Sequence, residues 1–315
     1  MNFDREKMKH AAVELARRGG FIGTSSWKYP GWCGTLYDEA RYVYRGKFAQ
    51  TRFNRLCLAE YSEVFKTVCV DAAYYRFPEQ RYFESLASQV PADFLFTFKV
   101  TDEITVRKFP KLDRFGPRAG QVNTNFLNAD LFASAFLAPC ESIQPQIGLL
   151  MFEFSRFYPG DFGQCSQFVE VLDGFLTKLP KGWRYGVEIR NADFLKPEYF
   201  QMLSTHGVAH VFSSWNSMPP IGAQWAMPES LTSTEFFGAR FLLKPGRKYE
   251  EAVNLFSPYE RAQEINAEGR AAGARMIRET TAQDARAKGF IYVNNRFEGN
   301  ALETIAAMLD AVAKK

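Results

Sequence analysis

The sequence predicts a single-domain α/β protein built as a TIM-type (β/α)8 barrel. Eight short apolar runs alternate with helical stretches along the chain, the order expected of this fold. Most runs, such as IGLLMF, are continuously apolar, as in parallel strands that are buried on both faces. The alternative, a doubly wound open sheet, normally has a glycine-rich first turn, which FIGTSSW lacks. The predicted strands begin near Phe21, Thr67, Phe94, Ile147, Arg184, Val208, Glu235 and Phe290.

Helical patterns fill the intervals between these strands. The clearest are TRFNRLCLAEYSEVF, PEQRYFESLASQV, NADLFASAFLA, SQFVEVLDGFLTKL, KPEYFQMLSTHG and ALETIAAMLDAV. A charged segment from Asp4 to Arg18, followed by two glycines, predicts a further surface helix. We therefore expect residues 1–20 to form a helix packed on a barrel domain that spans residues 21–315. One long helix is expected from Pro258 to Lys288.

Composition narrows the class of protein. Hydrophobic residues make up 46% of the 315 positions, enough for a large core. The net charge of +4 is too small for a dedicated nucleic-acid binder. Five cysteines without a C-x-x-C pair indicate free thiols in a reducing compartment. Without a signal-peptide pattern or a run of 18 apolar residues, we expect a cytoplasmic protein with no membrane association.

Polar residues mark the end of each predicted strand. The carboxyl ends of barrel strands form the face that carries active sites, so these residues are the candidates for chemistry. The candidate catalytic residues are Asp71, Lys99, Glu153 and Glu188, and the candidate ligand-binding residues are Arg190, Arg240, Lys244, Asn294 and Asn295.

Two of these residues lie on one strand. In YGVEIR, Glu188 and Arg190 are two positions apart and therefore point to the same side. They form either a structural ion pair or half of an active site, with Glu188 as acid/base and Arg190 as an anion anchor. Lys99 could act as a desolvated amine, extend out of the strand end, or pair with Glu153 on the neighbouring strand. Asp71 could equally be a turn residue.

Two further groups point to ligand binding, each with a structural alternative. Lys244 lies beside Gly246, Arg247 and Lys248, where barrels often bind phosphate, although such charges are more often surface residues. The loops after the strands also contain aromatic residues that could stack on a sugar or a base, or could simply pack the loops onto the barrel. These are Trp27, Tyr29, Trp32 and Tyr75.

Histidine is scarce. Of the three histidines, His206 and His210 flank the start of the sixth strand, away from the expected mouth. A histidine metal site or a Ser-His-Asp triad is therefore not expected. A carboxylate Mg²⁺ site formed by Asp71, Glu153 and Glu188 has no supporting motif. Nothing in the sequence predicts a metal or a cofactor.

Several motifs together resemble the DUF72 (YecE-like) family, TIM-barrel proteins without an established activity. The opening family motif is matched by IGTSSWKYPGW, with Ser26 in place of a glycine. VEIR is intact, and VCVDAAYY, LFTFK, LLMFEF and VNNRFEGNA are similar to further family segments. The resemblance extends from Phe21 to about Ala311 and implies the barrel fold, but it implies little about chemistry.

The chain departs from the family pattern at some polar positions. Cys69 stands where glutamate is usual, Asp71 where asparagine is usual, and Glu153 where glutamine is usual. Arg240 is retained, but Leu242 and Leu243 replace a His-Gly pair. These departures imply a divergent branch of the family, with a changed ligand.

The leading hypothesis is an enzyme that acts on a small polar ligand at the barrel mouth. The ligand would be anionic, phosphate-bearing or sugar-like, and the carboxylate chemistry would suit a hydrolase, lyase or isomerase. Glu188 would be the acid/base, Lys99 and Arg190 would hold charge, and Asn294 and Asn295 would orient hydroxyls. The alternatives are a nucleic-acid-binding or nucleic-acid-processing protein and a non-catalytic metabolite-binding barrel.

Overall fold

The computed structural model describes residues 3–282 and 287–313. Eight parallel strands close into a barrel, which confirms the predicted fold. The strand β1 pairs with β8 to close it, for example Ile22 with Ile291. Each strand begins within two residues of its predicted start. The strands are β1 (Gly20–Thr24), β2 (Thr67–Val70), β3 (Leu95–Lys99), β4 (Ile147–Glu153), β5 (Tyr185–Glu188), β6 (Ala209–Ser214), β7 (Phe236–Phe241) and β8 (Lys288–Val293).

Helices cover the outside of the barrel. The bounds are α1 (Arg5–Arg17), α2 (Gln50–Ser62), α3 (Gln80–Ala87), α4 (Ala129–Phe132, continued by a π-helical turn Ala133–Leu137 and by Ala138–Cys140), α5 (Cys165–Thr177), α6 (Pro197–Thr205), α7 (Tyr249–Phe256), α8 (Ala267–Thr280) and α9 (Ala301–Ala313). The long loops after β1, β3 and β6 contain short elements of their own. These are an antiparallel ribbon, Val43–Tyr44 with Lys47–Phe48, and the helices Asp102–Thr105 and Ile221–Trp225.

The expectation of one long helix from Pro258 to Lys288 is wrong. The segment that follows α7 is irregular as far as Asn266, which caps α8 by accepting a hydrogen bond from the N–H of Gly269 at 2.8 Å. A helix could begin at Pro258, but Tyr259 has a φ of +72°, outside the helical region. The N–H groups of Gln263 and Glu264 donate to the carbonyl of Glu298 instead of bonding within a helix. The last part of the expected helix falls on residues 283–286, outside the described residues, and on the start of β8.

The helix α1 precedes the barrel and packs against it. Asp4 caps its N-terminus by accepting from the N–H of Lys7, and Met8, Ala12 and Leu15 form its buried face. These positions share one side of a helix. Lys7 pairs with Asp310 of α9 at 2.6 Å. The helix is therefore held against the last helix of the barrel. The boundary between residues 1–20 and 21–315 remains a prediction.

The interior of the barrel is layered along its axis. Its lower part is apolar and includes Phe21, Leu149, Val211 and Phe290. Above it, the Tyr292 hydroxyl lies 2.8 Å from Thr67 Oγ1 and donates to Thr97 Oγ1 at 2.6 Å. The charged strand ends lie above this hydroxyl layer. Most aromatic residues instead fill the space between barrel and helices, which accounts for the high phenylalanine content.

In the described part of the chain, no helix has the length and apolarity that crossing a membrane requires.

Candidate active site at the mouth of the barrel

Charged side chains from five strands meet at the C-terminal mouth. Asp71 follows β2, Lys99 and Glu153 end β3 and β4, Glu188 and Arg190 end and follow β5, and Arg240 lies on β7. Five of the six are at most 9% exposed, whereas the Asp71 side chain is 33% exposed. The mouth therefore contains one nearly enclosed ionic network with a partly exposed acid at its edge.

Arg240 is the centre of this network. Its Nη1 donates to Glu153 Oε2 at 2.7 Å and to Glu188 Oε2 at 2.6 Å, while its Nη2 donates to Asp71 Oδ1 at 3.3 Å. Burial disfavours the charged guanidinium, but the neighbouring carboxylates, Glu188 foremost, outweigh burial and raise the pKa of Arg240. Arg240 thus remains a cation that links β7 to three other strands.

Glu188 is completely enclosed. Its Oε1 accepts from Ser213 Oγ at 2.9 Å and from Arg190 Nε at 3.1 Å, and its Oε2 accepts from Arg240. Its exposed fraction is 0%. Both oxygens are therefore occupied, and the carboxylate holds two guanidinium groups in place without a free side toward the mouth. The pairing of Glu188 with Arg190 agrees with their predicted position on one side of the strand.

Glu153 and Lys99 form the predicted pair across neighbouring strands, with Nζ 2.9 Å from Oε2. Burial alone would raise the pKa of Glu153, but Arg190, Lys99 and Arg240 outweigh it and hold that pKa well below its usual range. Burial would likewise lower the pKa of Lys99, but Glu153 and Asp71 raise it. At neutral pH these groups are a fixed carboxylate and a fixed ammonium, so neither exchanges a proton easily.

Two of the cations rest on aromatic rings. Lys99 Nζ lies 3.7 Å from the ring centroid of Tyr74, and the Arg190 guanidinium lies 3.5 Å from that of Trp215. Such contacts are favourable for partly desolvated cations. Tyr75, which is 62% exposed, contacts Tyr74 edge-on. Tyr75 is therefore an exposed ring beside the one on which Lys99 rests, and its role in ligand binding stays a prediction.

A second group of aromatic and charged side chains lies on the loops after β1 and β8 and at the start of α7. Burial raises the pKa of Tyr29 to about 12, with the charges of Arg296 and Asp71 acting on it as well. Arg296 lies 4.5 Å from the ring centroid of Tyr249. Tyr29 was predicted from the sequence, whereas Arg296 and Tyr249 were missed. The signal for Arg296 was its place directly after the two asparagines at the end of β8.

Two predicted aromatic residues lie in the core instead. Trp32 is 0% exposed and packs between Tyr29 and Tyr37, and Trp27 is 5% exposed. The Trp27 carbonyl accepts a hydrogen bond from the hydroxyl of Tyr37. Neither indole is accessible to a ligand in this conformation, so the loop after β1 presents Tyr29 rather than its tryptophans.

The asparagines and the lysine that were predicted to bind a ligand have other surroundings in the structure. Asn294 accepts from the N–H of Arg296 at 3.0 Å, and Asn295 accepts from the N–H of Ala301 at 2.7 Å. Their side-chain oxygens thus cap the backbone after β8. Lys244 is exposed on its loop, and the neighbouring Arg247 pairs with Glu264 at 2.7 Å. The structure does not bring this loop into the ionic network.

The geometry does not favour a metal among these acids. In residues 3–282 and 287–313, no three His, Cys, Asp or Glu side chains come together as metal ligands. The guanidinium of Arg240 occupies the space between Asp71, Glu153 and Glu188, the three carboxylates of the Mg²⁺ hypothesis. The positive charge that a cation would supply there is already present.

The fold and the site define a (β/α)8-barrel protein with an ionic network at the C-terminal mouth of its strands. The chain belongs to DUF72, a family described as proteins of unknown function, whose model matches residues 21–315. This match begins at β1 and leaves α1 outside.

Solved structures of DUF72 proteins share the fold. A DUF72-family protein from Enterococcus faecalis V583 matches with a TM-score of 0.62 and 19% identity, over 93% of this chain and 95% of that one. A DUF72-family protein from Thermotoga maritima MSB8 matches with a TM-score of 0.55 and 18% identity, over 94% and 99%. No functionally curated protein shows significant sequence similarity to the chain. These likenesses concern the fold alone.

Proposed function

We propose that this protein is an enzyme that acts on a small polar ligand, anionic or sugar-like, at the mouth of the barrel. The observation that supports this most is the convergence of three cations and three carboxylates from five strands, with one carboxylate still open to solvent. Barrel enzymes place their chemistry at this face and take its residues from several strands.

The hydrogen-bond donors of the network favour a ligand with an anionic or hydroxyl-rich group. Three cations share the two enclosed carboxylates Glu153 and Glu188, and the third negative charge, Asp71, is the partly exposed one. Lys99 has donor protons beyond the one that faces Glu153. These donors and the aromatic faces of Tyr74 and Tyr75 would orient a flat or ring-shaped polar ligand.

The roles differ from those expected from the sequence. We assign acid/base work to Asp71, because Glu188 is enclosed and saturated with hydrogen bonds. Glu188 is then a positioning residue that holds Arg190 and Arg240, and Lys99 with Arg190 binds the ligand charge. General acid/base catalysis by one side chain is worth about 10²–10⁴-fold in rate.

A comparison of Asp71→Asn with Glu188→Gln tests whether Glu188, and not Asp71, holds the network together. Asp71→Asn should leave stability within about 1 kcal/mol of the wild type, because a partly exposed ion pair contributes little. Glu188→Gln should cost roughly 3–5 kcal/mol, because it removes the counter-charge of two buried guanidinium groups. Urea unfolding measures both values, with the exposed Glu170→Gln as the matched carboxylate-to-amide control. Equal losses for Asp71→Asn and Glu188→Gln would contradict the division of roles.

Ligand chemistry can be tested with matched compounds. We expect thermal stabilisation by glucose 6-phosphate or gluconate and less by glucose, because only the first two present an anion to Lys99 and Arg190. The response should weaken in Lys99→Gln and persist in Glu170→Gln. If no member of a broad panel of sugar phosphates, sugar acids and other small anions shifts the melting temperature, the proposal of an anionic ligand fails.

The state of the cysteines supports a proposal about the cellular location of the protein. All five cysteines are unpaired, and four of them are buried. Free thiols are typical of reducing compartments, which supports the expected cytoplasmic location.

A further inference from the structure

A basic cleft lies beside the ionic network, and it shares no residue with the proposed active site. It is formed by the loops after β3 and β4 and encloses a cavity of about 430 Å³. Its cations are Arg107, Lys108, Lys111 and Arg156. A second hollow of similar volume shares Arg107, Lys108, Tyr158 and Asp161 and extends past Val122. We call these two hollows together the basic cleft.

The four cations of the basic cleft have no acidic partner among the residues that the structure describes. Within residues 3–282 and 287–313, none of them forms an ion pair, whereas the nearby Arg114 and Arg118 pair with Asp102 and Glu103. The one acid that lines the cleft, Asp161, accepts a hydrogen bond from the N–H of Tyr158 at 2.9 Å. The cleft is therefore strongly positive, and an anion entering it displaces no carboxylate.

Apolar and aromatic surface accompanies this charge. Tyr158 is 65% exposed and Val122 is 71% exposed, and Phe109 and Pro110 line the first hollow. Exposed rings next to unpaired cations are the combination that binds nucleotides: phosphates on Lys and Arg, and a base stacked on the ring. A simple anion site would not need the exposed tyrosine.

Both walls of the cleft are held by buried asparagines. Asn123 donates to the carbonyls of Glu103 and Val106 at 2.8 Å each. Asn191 accepts from the N–H of Phe157 at 2.7 Å and donates to its carbonyl at 3.1 Å. These contacts fix the backbone of the loops from the inside, so binding needs little ordering of the backbone.

We propose that the basic cleft binds the phosphate and base of a nucleotide, with phosphates on Lys108, Lys111 and Arg156 and the base against Tyr158. Two sources have this chemistry, a free nucleotide and a single strand of nucleic acid. The open course of the cleft past Val122 suits either a mononucleotide or a strand that continues along the surface.

Fluorescence anisotropy with a labelled (dT)20 strand and calorimetry with ADP test the proposal on the full chain at low salt. The triple variant Lys108→Gln/Lys111→Gln/Arg156→Gln should bind at least tenfold more weakly and show a smaller salt dependence, because fewer counterions are released. Tyr158→Ala should lose roughly 5- to 100-fold, the loss typical for one stacked base. The control Lys47→Gln/Arg52→Gln/Arg55→Gln removes the same charge from exposed positions on and near α2.

The results of these experiments distinguish a free nucleotide from a strand of nucleic acid. Strand binding that falls in the cleft variants and persists in the control supports a nucleic-acid strand, and the same pattern with ADP alone supports a free nucleotide. The proposal is overturned if neither probe binds at low salt, or if both triple variants weaken binding equally. Circular dichroism checks that the variants, all at solvent-facing positions, remain folded.

Discussion

Burial determines the protonation state of His210. It is 1% exposed, its Nδ1 lies 3.2 Å from the hydroxyl of Tyr199, and its ring packs on Phe200 and Phe212. Burial lowers the pKa of His210 from 6.5 to about 3. The folded protein thus keeps this imidazole neutral under conditions in which an exposed histidine is charged.

This shift predicts a stability loss in mild acid. The folded pKa lies below the unfolded one, so the contribution of His210 is complete above about pH 6.5 and is lost as pH falls toward about 3. The unfolding free energy should fall by up to about 1.4 kcal/mol per pH unit in that window from this residue. Urea titrations at pH 7.5, 6 and 5 measure the slope, which should be shallower in His210→Phe.

The exposed His10 provides the control. His10→Gln should keep the wild-type slope, because the ring of His10 is exposed on α1. An unchanged slope in His210→Phe would show that the proton uptake occurs elsewhere.

Burial also distinguishes the charged residues at the mouth from one another. The sequence identified Asp71, Lys99, Glu153, Glu188 and Arg240 as strand-end residues, and all five meet. It could not tell which of them face solvent, because exposure depends on the reach of Arg240 across the barrel. The proposal of Asp71 rather than Glu188 as the catalytic residue rests on this difference in exposure.

At the scale of elements, the strands were predictable because their signal is local. An apolar run of four to eight residues is short for a helix, and β-branched and aromatic residues within it favour a strand. Every predicted strand formed. The segment after Pro258 was mispredicted because its charges and alanines suit a helix, while the positive φ of Tyr259 and the Asn266 cap decide where the helix begins. A helix cap depends on one or two residues, so its signal is easily missed when the surrounding composition favours a helix.

The strands β1 and β2 approach each other closely at Gly23, and this contact predicts the effect of replacing that glycine. A Cβ at Gly23 would lie 2.2 Å from the carbonyl oxygen of Thr67, and a backbone atom inside a closed barrel cannot move away. Gly23→Ala should therefore destabilise the protein by about 1–3 kcal/mol or more, measured by chemical denaturation.

A second glycine provides the comparison. Gly174 lies within α5 with nothing within 4 Å of the added carbon. Gly174→Ala should stabilise the protein by roughly 0.5–1 kcal/mol through helix propensity. If both substitutions had the same small effect, the close strand contact would not be a constraint.

At the scale of the whole molecule, the question is whether α1 unfolds together with the barrel or separately from it. Its buried residues Met8 and Leu15 contact the main core, yet the family match begins only at residue 21. If α1 is part of one cooperative unit, Met8→Ala/Leu15→Ala should lower the unfolding free energy by roughly 4–8 kcal/mol in a single transition. Circular dichroism and tyrosine fluorescence should then report the same midpoint.

The exposed position next to these residues serves as a reference. His10→Ala keeps the helix and should change stability by less than about 0.5 kcal/mol. Two separate transitions in the double variant would mean that α1 unfolds independently of the barrel.

The sequence by itself determined the eight strands, their order and the polar residue at each strand end. These features depend on short-range patterns of burial, which are written in neighbouring residues. Only the tertiary structure decided that Glu188 is enclosed, that Asp71 is partly open, that Trp32 belongs to the core and that four cations share one cleft. Those outcomes depend on long side chains that cross the barrel and on loops far apart in the chain, and no local pattern encodes the distances between them.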